Sequence, residues 1–105
     1  VGFKVSSHLE ITKVYNFPNP IDRDTYFTYI LTKEAEEVSI KLFTISGRLI
    51  KVLNNAPSKA GYNQIYWDGK DEDGDNLANG VYFYKIIAKN EDENFSLLQK
   101  FVIMR

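Results

Sequence analysis

Short segments rich in Val, Ile, Tyr, Phe and Thr, cut by clusters of Gly, Pro, Asn and Asp, recur along almost the whole chain. That punctuation fits an all-β sandwich or barrel: β-branched and aromatic side chains suit a pleated, half-buried surface, and the cluster residues take turn conformations. Strands are predicted near residues 3–6, 10–16, 26–31, 37–45, 48–53, 61–68, 81–90 and 95–104. The segment best suited to a helix, 32–37, is too short to hold one, and its Lys33-Glu34-Ala35-Glu36-Glu37 run reads as a polar turn.

Alternation assigns the faces, because successive side chains of a strand point to opposite sides. Phe27, Tyr29 and Leu31 share a face, as do Val38, Ile40 and Leu42, and Ile65 with Trp67. Tyr82, Tyr84, Ile86 and Ala88 form a fourth inward set, backed by Lys85 and Lys89 on the other side of the strand. These sets are the predicted core, and Tyr62, Tyr66 and Phe83 are expected to face outward. Ile45-Ser46-Gly47-Arg48 reads as a tight hairpin turn, its glycine free to take positive φ. Pro18-Asn19-Pro20 lacks two amide donors, so it should end the strand before it and carry the chain to the opposite sheet as a crossover.

A chain of 105 residues holds one domain. Its 44% hydrophobic and 26% charged residues are enough to bury a core and keep it soluble. Thirteen basic residues against fourteen acidic ones leave a net charge of -1, and the cations are scattered singly along the sequence. Nucleic-acid binding draws on clustered cations, so it is not expected, and no polybasic membrane patch is visible. There is no apolar run of about 18 residues to span a bilayer. With no cysteine, disulfides, thiolate zinc sites and cysteine nucleophiles are excluded. The single methionine is Met104, so Val1 is read as an internal position of a longer protein.

The ordered motifs Val14-Tyr15-Asn16-Phe17-Pro18-Asn19-Pro20, Phe27-Thr28-Tyr29-Ile30-Leu31, and Val38-Ser39-Ile40-Lys41-Leu42-Phe43 running into Gly47-Arg48-Leu49 resemble the C-terminal sorting domain of the type IX secretion system. Ala60-Gly61-Tyr62, Trp67-Asp68-Gly69 through Asp73-Gly74, and Asn79-Gly80-Val81-Tyr82-Phe83-Tyr84 continue the match. The same stretches resemble the immunoglobulin-like domain of flagellar hook-capping proteins. The likeness covers residues 14–105 and implies an immunoglobulin-like antiparallel β-sandwich of about seven to eight strands, with 1–12 a linker or first strand and 13–105 the sorting domain.

The resemblance further implies a non-catalytic part of a larger exported protein, which is itself free to be an enzyme. Its expected partners are the outer-membrane secretion apparatus and the other domains of the parent protein. Its expected location is secreted, or at the cell surface, reached through the periplasm of a Gram-negative bacterium. The sorting family ends its last strand with a basic residue followed by apolar ones. Lys100-Phe101-Val102-Ile103-Met104 before Arg105 fits that ending and is the expected recognition segment. The alternative is a structural or adhesive accessory module like the hook-capping domain.

Asp68, Asp71, Asp73 and Asp75 have a spacing able to direct several carboxylates at a hard cation such as calcium, the one cofactor considered. The set departs from an EF-hand loop, because Val81 to Phe83 stand where the closing glutamate belongs. The plainer reading is a solvated turn whose Asp side chains bond their own backbone. His8, the only histidine, lies in a polar stretch and reads as exposed, and no Gly-x-Ser-x-Gly elbow accompanies it. Glu36 with Glu37, and Glu91, Asp92 and Glu93, fall in predicted turns and read as solvated charge rather than glycosidase carboxylates. No glycine-rich phosphate loop precedes a helix. Tyr29, Trp67, Tyr82 and Tyr84 fall on inward positions, so they read as core rather than a stacking platform. Asn94-Phe95-Ser96 matches a glycosylation acceptor that carries little weight in a bacterial chain.

Overall fold

Seven strands organise residues 8–105, the part of the chain described by the computed structural model, and no helix occurs among them. They are β1 (Ile11–Phe17), β2 (Thr25–Leu31), β3 (Glu37–Thr44), β4 (Leu49–Leu53), β5 (Gly61–Trp67), β6 (Gly80–Lys89) and β7 (Asn94–Ile103). The strand expected at 3–6 lies outside the described residues. β1-β2-β5 form one antiparallel sheet and β4-β3-β6-β7 the other, an immunoglobulin-like sandwich.

β2, β3, β5 and β6 bury the faces their alternation predicts. Phe27, Tyr29 and Leu31 of β2 lie against Val38, Ile40 and Leu42 of β3 and Tyr82, Tyr84, Ile86 and Ala88 of β6 in one core. Trp67 joins them, while Ile65 is half-buried at the margin. Leu9 and Ile11 are also core residues, so the packed interior begins ahead of β1. Phe27 and Tyr84 pack across the two layers with ring centroids 4.6 Å apart. Burying one such ring stabilises the fold by about 1.5–3 kcal/mol relative to leaving it in water. The Thr44–Arg48 turn closes the β3–β4 hairpin as expected, with Gly47 at φ 94° and its amide donating to the Thr44 carbonyl at 2.9 Å.

Pro18-Asn19-Pro20 ends β1, but the expected crossover to the opposite sheet does not occur. β1 and β2 are antiparallel neighbours within one sheet, with Phe17 opposite Tyr26. The connection reaches over to the other sheet and comes back. Ile21, which keeps the amide that the prolines lack, donates to the Val102 carbonyl at 2.7 Å and accepts from the Met104 amide at 2.9 Å. Its side chain is fully buried. The loop therefore caps one end of the sandwich without moving the next strand to another layer.

The same device recurs at other edges. β1 carries a bulge between Thr12 and Tyr15, with Lys13 at φ 50°, which interrupts its ladder. At β4 the Glu72 carboxylate accepts the Val52 amide at 3.1 Å, and the Glu72 amide donates to the Ile50 carbonyl at 3.1 Å. Edges treated in this way are poor templates for unwanted strand pairing.

Candidate functional site

The expected recognition segment runs along the end of β7, the outermost strand of its sheet. Strand alternation splits it in two. Phe101 is 0% exposed and Ile103 1%, both pointing into the core, while Lys100 and Met104 are exposed and Val102 is half-buried on the outside. Phe101 stacks on Tyr82 at 5.4 Å and meets Trp67 edge-on at 5.5 Å, so it is a hub of the interior. Lys100, Val102 and Met104 are the residues of the segment that reach the surface of the folded domain. Phe101 and Ile103 hold those three in place.

The backbone of this segment is pinned from both sides. Asn19 Oδ1 accepts the Val102 amide at 3.1 Å, and Asn79 Oδ1 accepts the Arg105 amide at 3.0 Å. The Arg105 guanidinium donates to the carbonyls of Asp22 at 2.8 Å, of Gly69 at 3.5 Å and of Leu77. The β1–β2 and β5–β6 connections are thereby tied to one side chain. The approach requires glycine at position 69, where φ is +81° and an added Cβ would stand 2.2 Å from the Arg23 carbonyl oxygen.

Beside this clamp lies an open cleft of about 710 Å³, lined by Asp22, Arg23, Asp24, Tyr66, Asp68 and Arg105 among others. The Tyr66 hydroxyl donates to Asp24 Oδ2 at 2.9 Å. That bond to a carboxylate, with some burial and the negative charge of Asp24 and Asp68, pushes the Tyr66 phenol above its ordinary range. Tyr66 also ends an aromatic row across the outer face of the three-stranded sheet, since Tyr26 stands opposite both Phe17 and Tyr66. The Tyr26 and Tyr66 rings meet edge-to-face, 5.5 Å apart and inclined at 63°, so the row is not a flat platform.

Of the four aspartates considered for calcium, the structure gathers three, with one carboxylate oxygen each of Asp71, Asp73 and Asp75 within 4.8 Å of one another. Asp71 Oδ1 accepts the amides of Asp73 and Asp75 at 3.0 and 2.9 Å, and the Asp71 amide donates to the Asp75 carbonyl at 2.9 Å. Asp68 Oδ1 accepts the Lys70 amide at 3.1 Å instead of turning toward the other three. These bonds are those of a side-chain-stabilised turn.

His8 is exposed, with Nδ1 4.0 Å from Glu93 Oε2. Glu93 is more than solvated charge. It accepts Lys33 Nζ at 2.8 Å and the Leu9 amide at 2.9 Å, tying the β6–β7 turn to the entry of β1. The Lys33 bond, followed by the Leu9 amide, holds the Glu93 carboxyl below the usual glutamate range. Glu36 engages through its backbone, its amide donating to the Lys89 carbonyl at 2.9 Å and to Asn90 Oδ1 at 2.8 Å. Sequence reasoning read Glu93 only as solvated charge and assigned no contact to Asn19, Asn79 or Arg105. Their partners lie 26 to 84 residues away, so no local pattern marks them.

Residues 18–92 match the family model of the FlgD Ig-like domain. The basal-body rod modification protein FlgD of Salmonella typhimurium strain LT2 is 33% identical over 66 residues, 63% of this chain and 28% of that protein. The protein of the same name from Buchnera aphidicola is 27% identical over 73 residues, 70% of this chain and 31% of that one. The chain thus spans less than a third of the curated relatives it matches. Among solved structures, dimeric latent PorU from Porphyromonas gingivalis superposes with a TM-score of 0.74 at 21% identity, covering 87% of this chain and 9% of that one. Chitinase ChiW from Paenibacillus sp. strain FPU-7, a cell-surface-expressed multi-modular enzyme machinery, gives 0.70 at 16% identity over 97% of this chain and 9% of that one. PorZ, an essential bacterial surface component of the type-IX secretion system of Porphyromonas gingivalis, gives 0.53 at 24% identity over 88% and 11%. At these identities the structural likeness is one of fold.

Proposed function

We propose that this chain, which belongs to the FlgD Ig-like domain family, is a non-catalytic sorting and surface-anchoring module of a larger exported protein, read by an outer-membrane secretion apparatus of type IX. The observation that carries this reading is the division of labour in β7. Its core-facing residues, with the loop bonds to Val102, Met104 and Arg105, hold the strand end rigid, so Lys100, Val102 and Met104 are displayed at a fixed two-residue spacing. A display of this kind suits recognition, because little backbone freedom remains to be lost on binding. The fold it shares with PorU and PorZ supports the same reading. The proposed location is secreted or at the cell surface, and the proposed partners are the secretion apparatus and the parent protein's other domains.

The test is a fusion of residues 1–105 to a periplasmic reporter in a host that has the type IX system. Export of the reporter to the cell surface or medium is expected, with export lost when Lys100→Glu is introduced into a domain that still folds. A reporter retained in the periplasm overturns the reading. A second reading, a structural or adhesive accessory module, is favoured by the exposed Phe17–Tyr26–Tyr66 row, which sits on the sheet face opposite to Lys100. It predicts that Tyr26→Ser with Tyr66→Ser weakens attachment of the parent protein while export is unchanged.

A further inference from the structure

Strand register gathers onto one face lysines that lie far apart in the sequence. On the outer side of the four-stranded sheet, Lys41 of β3 stands directly opposite Lys85 of β6, and Phe43 opposite Phe83. Phe83 in turn is opposite Lys100 of β7, and Lys85 is opposite Leu98. Lys89 completes the set on β6. Among the outward side chains of β3, β6 and β7, Glu37 is the only acid, and it sits at the end of the sheet opposite Lys89. The chain's net charge of -1 therefore hides a segregation, with the acids of 68–75 and of 91–93 in connections outside the strands and four lysines on one flat face.

Among the described residues none of the four lysines takes part in an ion pair. The ion pairs among the described residues are His8 and Lys33 with Glu93, and Lys51 with Glu72. Like charges set directly opposite on neighbouring strands destabilise the sheet that carries them. The Lys41–Lys85 pair thus costs the free domain stability and gains nothing inside it. Apolar surface lies between the lysines: Val81 is 39% and Leu98 55% exposed, with Phe43, Phe83 and Val102 half-buried at the feet of the lysine stems.

We propose that this face docks an acidic protein surface, whose carboxylates sit between Lys41 and Lys85 and beside Lys100 and whose apolar side chains cover Phe43, Phe83 and Leu98. The proposal rests on the reading of the domain as a recognised module and names the chemistry of what recognises it. Charge complementarity selects an acidic partner. Their place in the fold favours a protein over a bilayer, because these apolar groups lie in strands among the lysines and are carried on no protruding loop.

The experiment titrates the ¹⁵N-labelled 105-residue chain with poly-L-glutamate and with a peptide alternating Glu and Leu. Amide shifts centred on Lys41, Phe83, Lys85 and Lys100 are expected, with tighter binding of the Glu-Leu peptide and weakening as salt is raised. Lys41→Glu with Lys85→Glu should weaken binding by about tenfold or more. Lys41→Glu alone should weaken binding yet raise the melting temperature, since it turns a repulsive cross-strand pair into an attractive one. A role in folding alone would not produce that opposition. Shifts centred elsewhere, unchanged affinity in the double variant, preferential binding to phosphatidylglycerol vesicles, or self-association through this face by sedimentation each overturn the proposal. In the reporter assay, full export of the double variant overturns the docking face and leaves the sorting reading standing. Failure of the unmodified fusion to export overturns the sorting reading, and the titration still decides the face.

Discussion

Replacing Phe101 with alanine separates the residues that hold the end of β7 from those that face outward. The ring is 0% exposed and has four aromatic neighbours, with centroids at 6.1 Å from Phe27, 5.5 Å from Trp67, 5.4 Å from Tyr82 and 5.9 Å from Tyr84. Truncating a buried Phe to Ala costs about 3–5 kcal/mol, because the lost transfer free energy is joined by the cavity left behind. The neighbours here come from both sheets, so collapse onto the cavity would require the layers to shift, which places the cost at about 4 kcal/mol. For a domain of this size that lowers the melting temperature by roughly 15–30 °C. Lys100→Ala and Met104→Ala, at exposed positions, should stay within about 0.5 kcal/mol. Urea unfolding followed by fluorescence reads this directly, since Trp67 is the only tryptophan and touches Phe101. Reporter export by the Phe101→Ala fusion should recover at lower temperature, and export by Lys100→Glu should not. A Phe101→Ala cost below about 1 kcal/mol, well under the core range, would refute the division of β7 into anchors and display.

Gly69→Ala should cost more than about 2 kcal/mol, combining a left-handed backbone with a collision against the Arg23 carbonyl, whereas Gly74→Ala, at φ +83° in open space, should cost about 1 kcal/mol. Equal losses by urea denaturation would count against the close approach at Gly69. Glu93 ionises more readily folded than unfolded, so its stabilisation is complete above the unfolded glutamate value and is lost as pH falls through the lower folded one. Glu93→Gln should therefore lower the melting temperature at neutral pH and converge with the parent in acid, and curves that stay parallel across that range would exclude the linkage. The Asp71-centred turn predicts a melting temperature that millimolar calcium leaves unchanged, while Asp71→Ala loses about 1–2 kcal/mol from two amide bonds. A rise in melting temperature on adding calcium would instead show a folded-state ion site, because a ligand that binds only the native state stabilises it by mass action.

The strands were legible because their signal is local. β-branched and aromatic runs broken at turns place β2, β5, β6 and β7 within a residue of their observed ends, and alternation alone separates Phe27, Tyr29 and Leu31 from the exposed Tyr26. The turn at Gly47 follows from the same local chemistry. Where the connection after Pro20 leads is a different kind of question. Two prolines end a strand, but the pairing of β2 beside β1 depends on which apolar faces meet, and Ile21 reaches β7 through a partner 82 positions later in the chain, at Ile103.

The candidate site divides along the same line. Lys100 to Met104 can be picked out as a segment, and the sequence by itself determines that their side chains alternate, since that needs only the pleat of a strand. Which parity faces the core was decided by pairing with β6, and that pairing turned Phe101 and Ile103 inward and left Lys100, Val102 and Met104 on the outside. Lysines at 41, 85 and 100 look scattered in a linear count of charge, and become neighbours through the registers of β3 with β6 and β6 with β7. Composition and local spacing act over a few residues, so they determine strands, turns and faces. Long-range register is a collective result of closing two sheets over one interior, and it alone assembled the Arg105 clamp, the Glu93 brace and the basic face.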